Sequence, residues 1–324
     1  MSADTGTETD AAAAGETTAP SSSINPDSVR AVARKDFQDA VRSWLFWGLS
    51  VFFFTLLVTI TGVVSYFGED IAQAGATTEA LVVFVSEITR LVIPLIALIL
   101  GWKAIAGERE RGSIKILLSL PHSRKDVLLG KLIGRSAVLS ISLVVGFVLA
   151  AIVVAALLGT FDVTDYVGLL AMSILYGVAY TSIAVALSSL TRSTTIAGAA
   201  MVGVFVLFYI VWNAIMQAIG LLMNFGYLSG EEYEFELDGE TMTNERLPDW
   251  AYFIESIDPG YAYNNALSIV TGAAETELGV ALEEAMFDGS IPFYLQDWFS
   301  FVVLLFWIVT PIAVALYRFD RVDL

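Results

Sequence analysis

The sequence predicts an all-α polytopic membrane protein with six transmembrane helices, an amphipathic helix before the first of them and a short helix in one loop. Three observations lead there. Of the 324 residues, 56% are hydrophobic and 16% charged, more apolar and less charged than a soluble domain, and mean hydropathy is +0.70. Six long apolar stretches take up nearly half of the chain, so one polytopic domain is a better reading than two soluble ones. The basic residues are also segregated. All of the 17 Lys and Arg residues except Arg90 and Arg246 lie on the amino tail, in the 107–135 loop with adjoining Lys103, in the Arg192 turn or on the carboxyl tail.

Residues 1–26 are rich in Ala, Thr, Ser, Glu and Asp with almost no large apolar side chain, the composition of a disordered tail. They lack the basic start and apolar centre of a signal peptide. Over 27–43, with Asp27 as N-cap, Val29, Ala33, Phe37, Ala40, Val41 and then Trp44 recur at helical spacing, while Arg34, Lys35, Gln38 and Arg42 take another face. Such a helix suits the inner membrane surface, or it simply extends the first span into the cytoplasm.

The membrane domain runs from 44 to 317. Trp44 to Tyr66 is free of charge for 23 residues, about 34 Å of helix against a hydrocarbon core of about 30 Å. The second span, Leu81 to Ala106, is uncharged from Leu91 to Trp102, with Lys103 placed to snorkel at one end. Further charge-free runs extend over Ser136–Phe161, Tyr166–Thr191, Ser193–Gly230 and Trp298–Tyr317. Short connections at 162–165 and at Arg192 force neighbouring spans to be antiparallel, and an even number puts both termini on one side. The positive-inside rule makes that side cytoplasmic, including the 318–324 tail. The 224–297 segment, with 16 acidic residues against Arg246 alone, is then external. An acidic loop and tail fit adaptation to high salt, although a cation-attracting surface would look the same. In the external segment Asp258-Pro259-Gly260 starts one helix, and Leu278, Leu282, Ala285 and Met286 mark another over 275–287, together read as a solvated cap.

Composition excludes much chemistry. Without cysteine there is no disulfide or thiolate site, and the single histidine, His122, rules out multi-histidine metal centres. No metal site is expected, and a net charge of −17 offers no footing for nucleic acid. An intramembrane protease would need a nucleophile with its base, paired aspartates or a metal motif at membrane depth, and none is present. An ion-coupled carrier would place more ionisable groups there than Glu87 and Arg90. These two, one helical turn apart, either line a pathway or form a satisfied pair near the outer interface. Asn213 either meets a substrate or bonds to a neighbouring helix. Ala199 and Gly203, four apart, allow close helix approach, which most often means ordinary packing.

The most informative stretch lies between spans two and three. Gly112 and Ser113 can start a helix in which Ile114, Leu117 and Leu118 form an apolar stripe, and Pro121 stops it after about two turns. Ser123 and Asp126 have capping-box spacing before a new helix leading into span three. A two-turn helix is unstable alone in water and needs lipid or a partner protein to lie against. The alternating Glu108, Arg109, Glu110 and Arg111 suit a protein groove better than an anionic membrane.

At these residues the chain resembles the permease subunits of type-two ABC transporters, above all the subgroup that includes the nitrous oxide reductase maturation permease. Glu108-Arg109-Glu110-Arg111-Gly112, Leu117-Leu118, Pro121 and Ser123-Arg124 stand where that family has its glutamate-arginine-glycine loop and proline-serine-arginine segment. The resemblance implies two permease halves, alike or different, and two cytoplasmic ATPase subunits. The loop between spans two and three would be the coupling helix, with Glu108 to Ser113 and Ile114 to Leu120 against the ATPase and Pro121, Ser123 and Arg124 fixing the exit. ATP and magnesium would bind the partner, in keeping with the lack of a GxxxxGK[ST] phosphate loop here. The chain would then be no enzyme but an ATP-driven exporter's membrane subunit, surrounded by lipid. Its long 224–297 segment departs from a minimal family loop and leaves the substrate class open. A membrane anchor or receptor for a cytoplasmic partner, without transport, is the rival reading.

Overall fold

Among the described residues, six helices are long and apolar enough to cross a membrane. The computed structural model describes residues 24–72, 78–112, 123–159, 162–237, 240–271 and 284–319. Helix α1, Pro26–Val41, precedes α2, Trp44–Ala72, and α3, Thr78–Trp102. A short α4, Ala106–Glu110, comes next, and after residues 113–122 follow α5, Arg124–Leu158, and α6, Val163–Leu190. The fifth span is α7, Thr194–Phe205, a π-helical turn over Val206–Val211, and α8, Trp212–Asn224. The last is α11, Asp297–Phe319.

Side-chain caps set several starts. Asp162 accepts from the backbone N–H groups of Thr164 and Asp165 at 2.7 and 3.1 Å before α6, and Ser193 accepts from Ile196 N before α7. At the far end of α5, Gly159 takes the left-handed conformation (φ 70°) that stops the helix. The α5 helix starts 12 residues before its charge-free run at Ser136, because the helix begun at the Ser123 cap continues without a break into span three.

The centre of the bundle is α6, with 72% of its most apolar stretch buried, packed on α3, α11 and α5. The fifth span is the outermost, at 17%. Tyr176, Leu139, Leu143, Ile93 and Leu169 are among the fully buried side chains of one large core. A second cluster joins Ala104 and Ile105, Leu128, Val185 and Ala186, and Ile312 and Ala315. This cluster puts the end of α11 beside the loop after α3 and the start of α5. Both ends of the six-span set therefore lie at one end of the bundle, the basic end.

The opposite, acidic end departs from the expected solvated cap. A hairpin of β1, Glu231–Leu237, and β2, Glu240–Arg246, pairs antiparallel with Glu232 opposite Glu245 and Phe235 opposite Met242. The alternation Glu232, Tyr233, Glu234, Phe235 is a period-two strand signal inside an otherwise helical reading. Arg246 pins the hairpin through Glu231 and Asp249 and lies over the Phe287 ring. Helices α9, Asp249–Ser256, and α10, Pro259–Leu267, follow. Asp258 caps α10 as expected, accepting from Tyr261 N at 2.7 Å. But α10 is buried in the bundle, where Ala262, Tyr263 and Ala266 are fully enclosed and Tyr263 stacks on Tyr176 of α6, ring centres 4.7 Å apart. Trp307 of α11 donates to Ile257 O just ahead of it. Most of the 275–287 helix expected from the sequence lies outside the described residues, as does the 1–23 tail.

Candidate functional site

At the basic end, α1 forms from Pro26, with Asn25 rather than Asp27 as its cap; the Asn25 side chain accepts from Asp27 N. Asp27 instead occupies the first turn, where its charge favours the helix dipole. The expected polar face is exposed at Arg34, Lys35, Gln38 and Arg42. The apolar face turns to protein: Val29, Val32 and Ala33 are buried against α5. Close approach depends on two glycines of α5. A Cβ at Gly130 would lie 2.6 Å from Val32 Cβ, and one at Gly134 would lie 2.8 Å from Asp36 Oδ2. This glycine pair, four residues apart, is where a small-residue contact is made; Gly203, singled out from the sequence, has nothing within 4 Å of such a Cβ.

Asp36 is buried at this seam. Lys131 Nζ donates to Asp36 Oδ1 at 2.9 Å and to Glu108 Oε1 at 2.6 Å, and Arg135 Nη2 donates to Asp36 Oδ1 at 3.0 Å. Two carboxylates and two cations from three elements thus form a balanced group. It was not singled out from the sequence, because Asp36 sits between the two stripes of α1 and its partners are 95 and 99 residues away.

The segment carrying Glu108 to Gly112 is partly helical, as α4, ahead of the helix the sequence predicts from Gly112 and Ser113. Ser188 Oγ holds its entry, accepting from Ile105 N and Ala106 N at 3.1 Å each and donating to Trp102 O. Arg109 Nη1 donates to Thr191 O at 2.9 Å, and Glu110 Oε2 accepts from Thr194 N at 3.2 Å. Arg111 Nε donates to Gly107 O at 3.0 Å. Gly112 is left-handed (φ 72°), so it closes the turn after α4. Consecutive residues therefore reach different spans: Glu108 the start of α5, Arg109 the end of α6, Glu110 the start of α7. Of the residues expected to face a partner, Glu108 and Arg109 are turned into the chain, whereas Glu110, Arg111 and Gly112 are exposed. Ser113, Ile114, Leu117, Leu118, Pro121 and His122 lie outside the described residues.

The loop's exit matches the sequence reading. Ser123 Oγ accepts from Asp126 N at 3.1 Å and Asp126 Oδ2 accepts from Ser123 N at 2.9 Å, a complete capping box ahead of half-buried Arg124. The second oxygen of Asp126 accepts from Asn25 N at 2.8 Å, so one carboxylate serves α5 and α1. Asp126→Ala removes the carboxylate that accepts from the backbone N–H groups of Ser123 and Asn25 at a buried position, and is expected to cost about 1–3 kcal/mol. A fall in the thermal unfolding temperature, with faster amide exchange at Asn25 and Ser123, checks it.

The three pathway candidates are not brought together. Glu87 accepts from Asn264 Nδ2 at 3.1 Å, and Arg90 Nη2 reaches Asp258 Oδ2 at 3.5 Å, so each faces the α10 segment and not the other. Arg90 is 12 residues from either end of α3, about 18 Å along the helix, which sets this pair deep in the bundle. Burial raises the Asp258 carboxyl above the ordinary carboxylate range, opposed by Arg90 and the backbone N–H of Tyr261. Asn213 is exposed and donates to Tyr209 O in its own helix at 2.8 Å, not to a neighbouring helix. Among the described residues, no three His, Asp or Glu side chains gather to hold a metal.

The profile described as ABC-2 family transporter protein matches residues 30–324. A protein of Pseudomonas aeruginosa named "Probable ABC transporter permease protein NosY" is 31% identical over 204 residues, 61% of this chain and 72% of that protein. A protein of the same name from Stutzerimonas stutzeri is 29% identical over 197 residues, 59% of this chain and 70% of its own length. With six apolar helices, and with that profile covering the chain from α1 to its last residue, this protein belongs to the ABC-2 family of transporters as a multi-pass membrane permease.

Proposed function

We propose that the chain is the membrane subunit of an ATP-driven exporter whose ATP and magnesium sit on a separate ABC ATPase. The basic end faces the cytoplasm, and the ATPase docks on the loop between α4 and α5. The observation that carries this reading is the wiring of that loop's entry: Glu108, Arg109 and Glu110 bind the ends of three different spans at 2.6, 2.9 and 3.2 Å. A push on residues 113–122 would be delivered to α5, α6 and α7 together. In this reading Ile114, Leu117 and Leu118 form the apolar contact, exposed Glu110, Arg111 and Gly112 flank it, and Pro121, Ser123 and Arg124 set its exit. The weakly buried α7–α8 span supports a second permease subunit on that face, and lipid covers the rest.

Co-expression with candidate ABC ATPase subunits from the same genome tests the proposal. The two subunits should co-purify from membranes, and the assembly should hydrolyse ATP while the isolated chain shows no saturable nucleotide binding. Micromolar ATP binding by the chain alone, or an ATPase that never associates, would remove this reading.

A further inference from the structure

We infer that the buried chain Asp36–Lys131–Glu108 is a joint that makes α1 move with the coupling loop, so that Lys131 is a positioning residue for energy transfer. The inference rests on the proposed docking of an ATPase and goes beyond it by assigning a moving role to the amino-terminal helix.

Val29, Val32 and Ala33 already pack α1 closely onto α5 at the Gly130 and Gly134 seat. Buried charges add little net adhesion, because desolvation cancels much of their attraction; what they fix is register. Here the side chains of Asp36 and Lys131 are 4% and 9% exposed. One ammonium is shared between a carboxylate of α1 and a carboxylate of α4, the segment that leads directly into the loop. Sliding either element alone past α5 would leave a buried charge without its counter-charge. Because the ammonium belongs to α5, both bonds are kept only when α1, α4 and the start of α5 move as one body. Arg135, from the next turn of α5, also pairs with Asp36, its Nε 3.0 Å from Asp36 Oδ2, so the two carboxylates are matched by two cations. Asn25 N on Asp126 adds a second tie between the start of α1 and the loop's exit. The amino-terminal helix is thereby fastened at both ends to the two sides of one loop.

The experiment is hydrogen exchange on the assembled transporter with and without a non-hydrolysable ATP analogue, following amides of 26–41 and of 106–112 in the same sample. With Lys131 present, the analogue should change exchange in both segments. Lys131→Met should retain the ATPase and the response at 106–112 but lose the response across 26–41, and Lys131→Arg should restore it. A merely structural Lys131 would alter basal exchange in α1 and leave its nucleotide response intact, which overturns the joint. So does an α1 that ignores the analogue in the unmodified assembly while 106–112 responds; the ATPase reading survives that result. If no ATPase assembles with the unmodified chain, both proposals fall. Should Lys131→Met not accumulate, Asp36→Asn keeps a neutral acceptor for the ammonium and Arg135, and is expected to weaken the α1 response in the same direction.

Discussion

Replacing Gly101 with leucine is expected to cause a large loss of folded protein. A Cβ at Gly101 would lie 2.3 Å from Ala184 Cβ and 3.2 and 3.3 Å from the backbone carbons of Ala184. Backbone atoms of a central helix cannot rotate away, so α3 and α6 must separate along the contact that organises the core. Overpacking commonly costs about 1–3 kcal/mol, and opposition by backbone places Gly101→Leu at or beyond the top of that range. Gly62 is the control, since a Cβ there meets nothing within 4 Å. Gly62→Leu should stay within about 0.5 kcal/mol of the parent or gain slightly from helix propensity. Thermal unfolding of both variants in detergent checks the pair, and equal losses would contradict the close contact.

Changing Leu117 to Asp is expected to have the largest effect on function with little on folding. The proposed contact places an apolar stripe of Ile114, Leu117 and Leu118 against the ATPase, and an unpaired carboxylate in its centre would be desolvated without compensation at a cost of several kcal/mol. The ATPase should be released, or remain bound with hydrolysis no longer coupled to the permease. Membrane insertion should be unaffected, because position 117 is outside the spans. Arg124→Glu should act in the same direction but more weakly, being half-buried at the rim where salt screens it. Normal insertion with full ATPase retention in Leu117→Asp would favour lipid over protein as the surface beneath the stripe.

What could be read from the sequence followed locality. The six spans need only long runs without charge, and the capping box of Ser123 and Asp126 needs only a spacing of three. The face of α1 carrying Arg34, Lys35 and Arg42 came from helical periodicity alone. What covers its other face did not, because the seat at Gly130 and Gly134 is about a hundred residues away and two glycines four apart occur in many spans. The Glu108 to Arg111 run is a clearer case. Alternating charges in a loop read as a solvated or partner-facing surface, yet Glu108 and Arg109 are taken up by Lys131 and Thr191, 23 and 82 residues later. The hairpin had a local signal, the alternation at 232–235, that an all-helical reading passed over. Burial of α10 had none: Pro259 to Leu267 is modestly apolar, and its place against Tyr176 is fixed by contacts such as Arg90 to Asp258, 168 residues apart.

The central claim is that the loop at the basic end meets an ATPase in the cytoplasm. The chain has no cysteine, so single cysteines at Leu117 and Ser229 can be compared directly in cells co-expressing the ATPase. A membrane-permeant bifunctional reagent should join position 117, and not 229, to the ATPase, and an impermeant thiol reagent should reach 229 only. Cross-linking from 229, or impermeant labelling at 117, would place the acidic end against the ATPase and contradict the account.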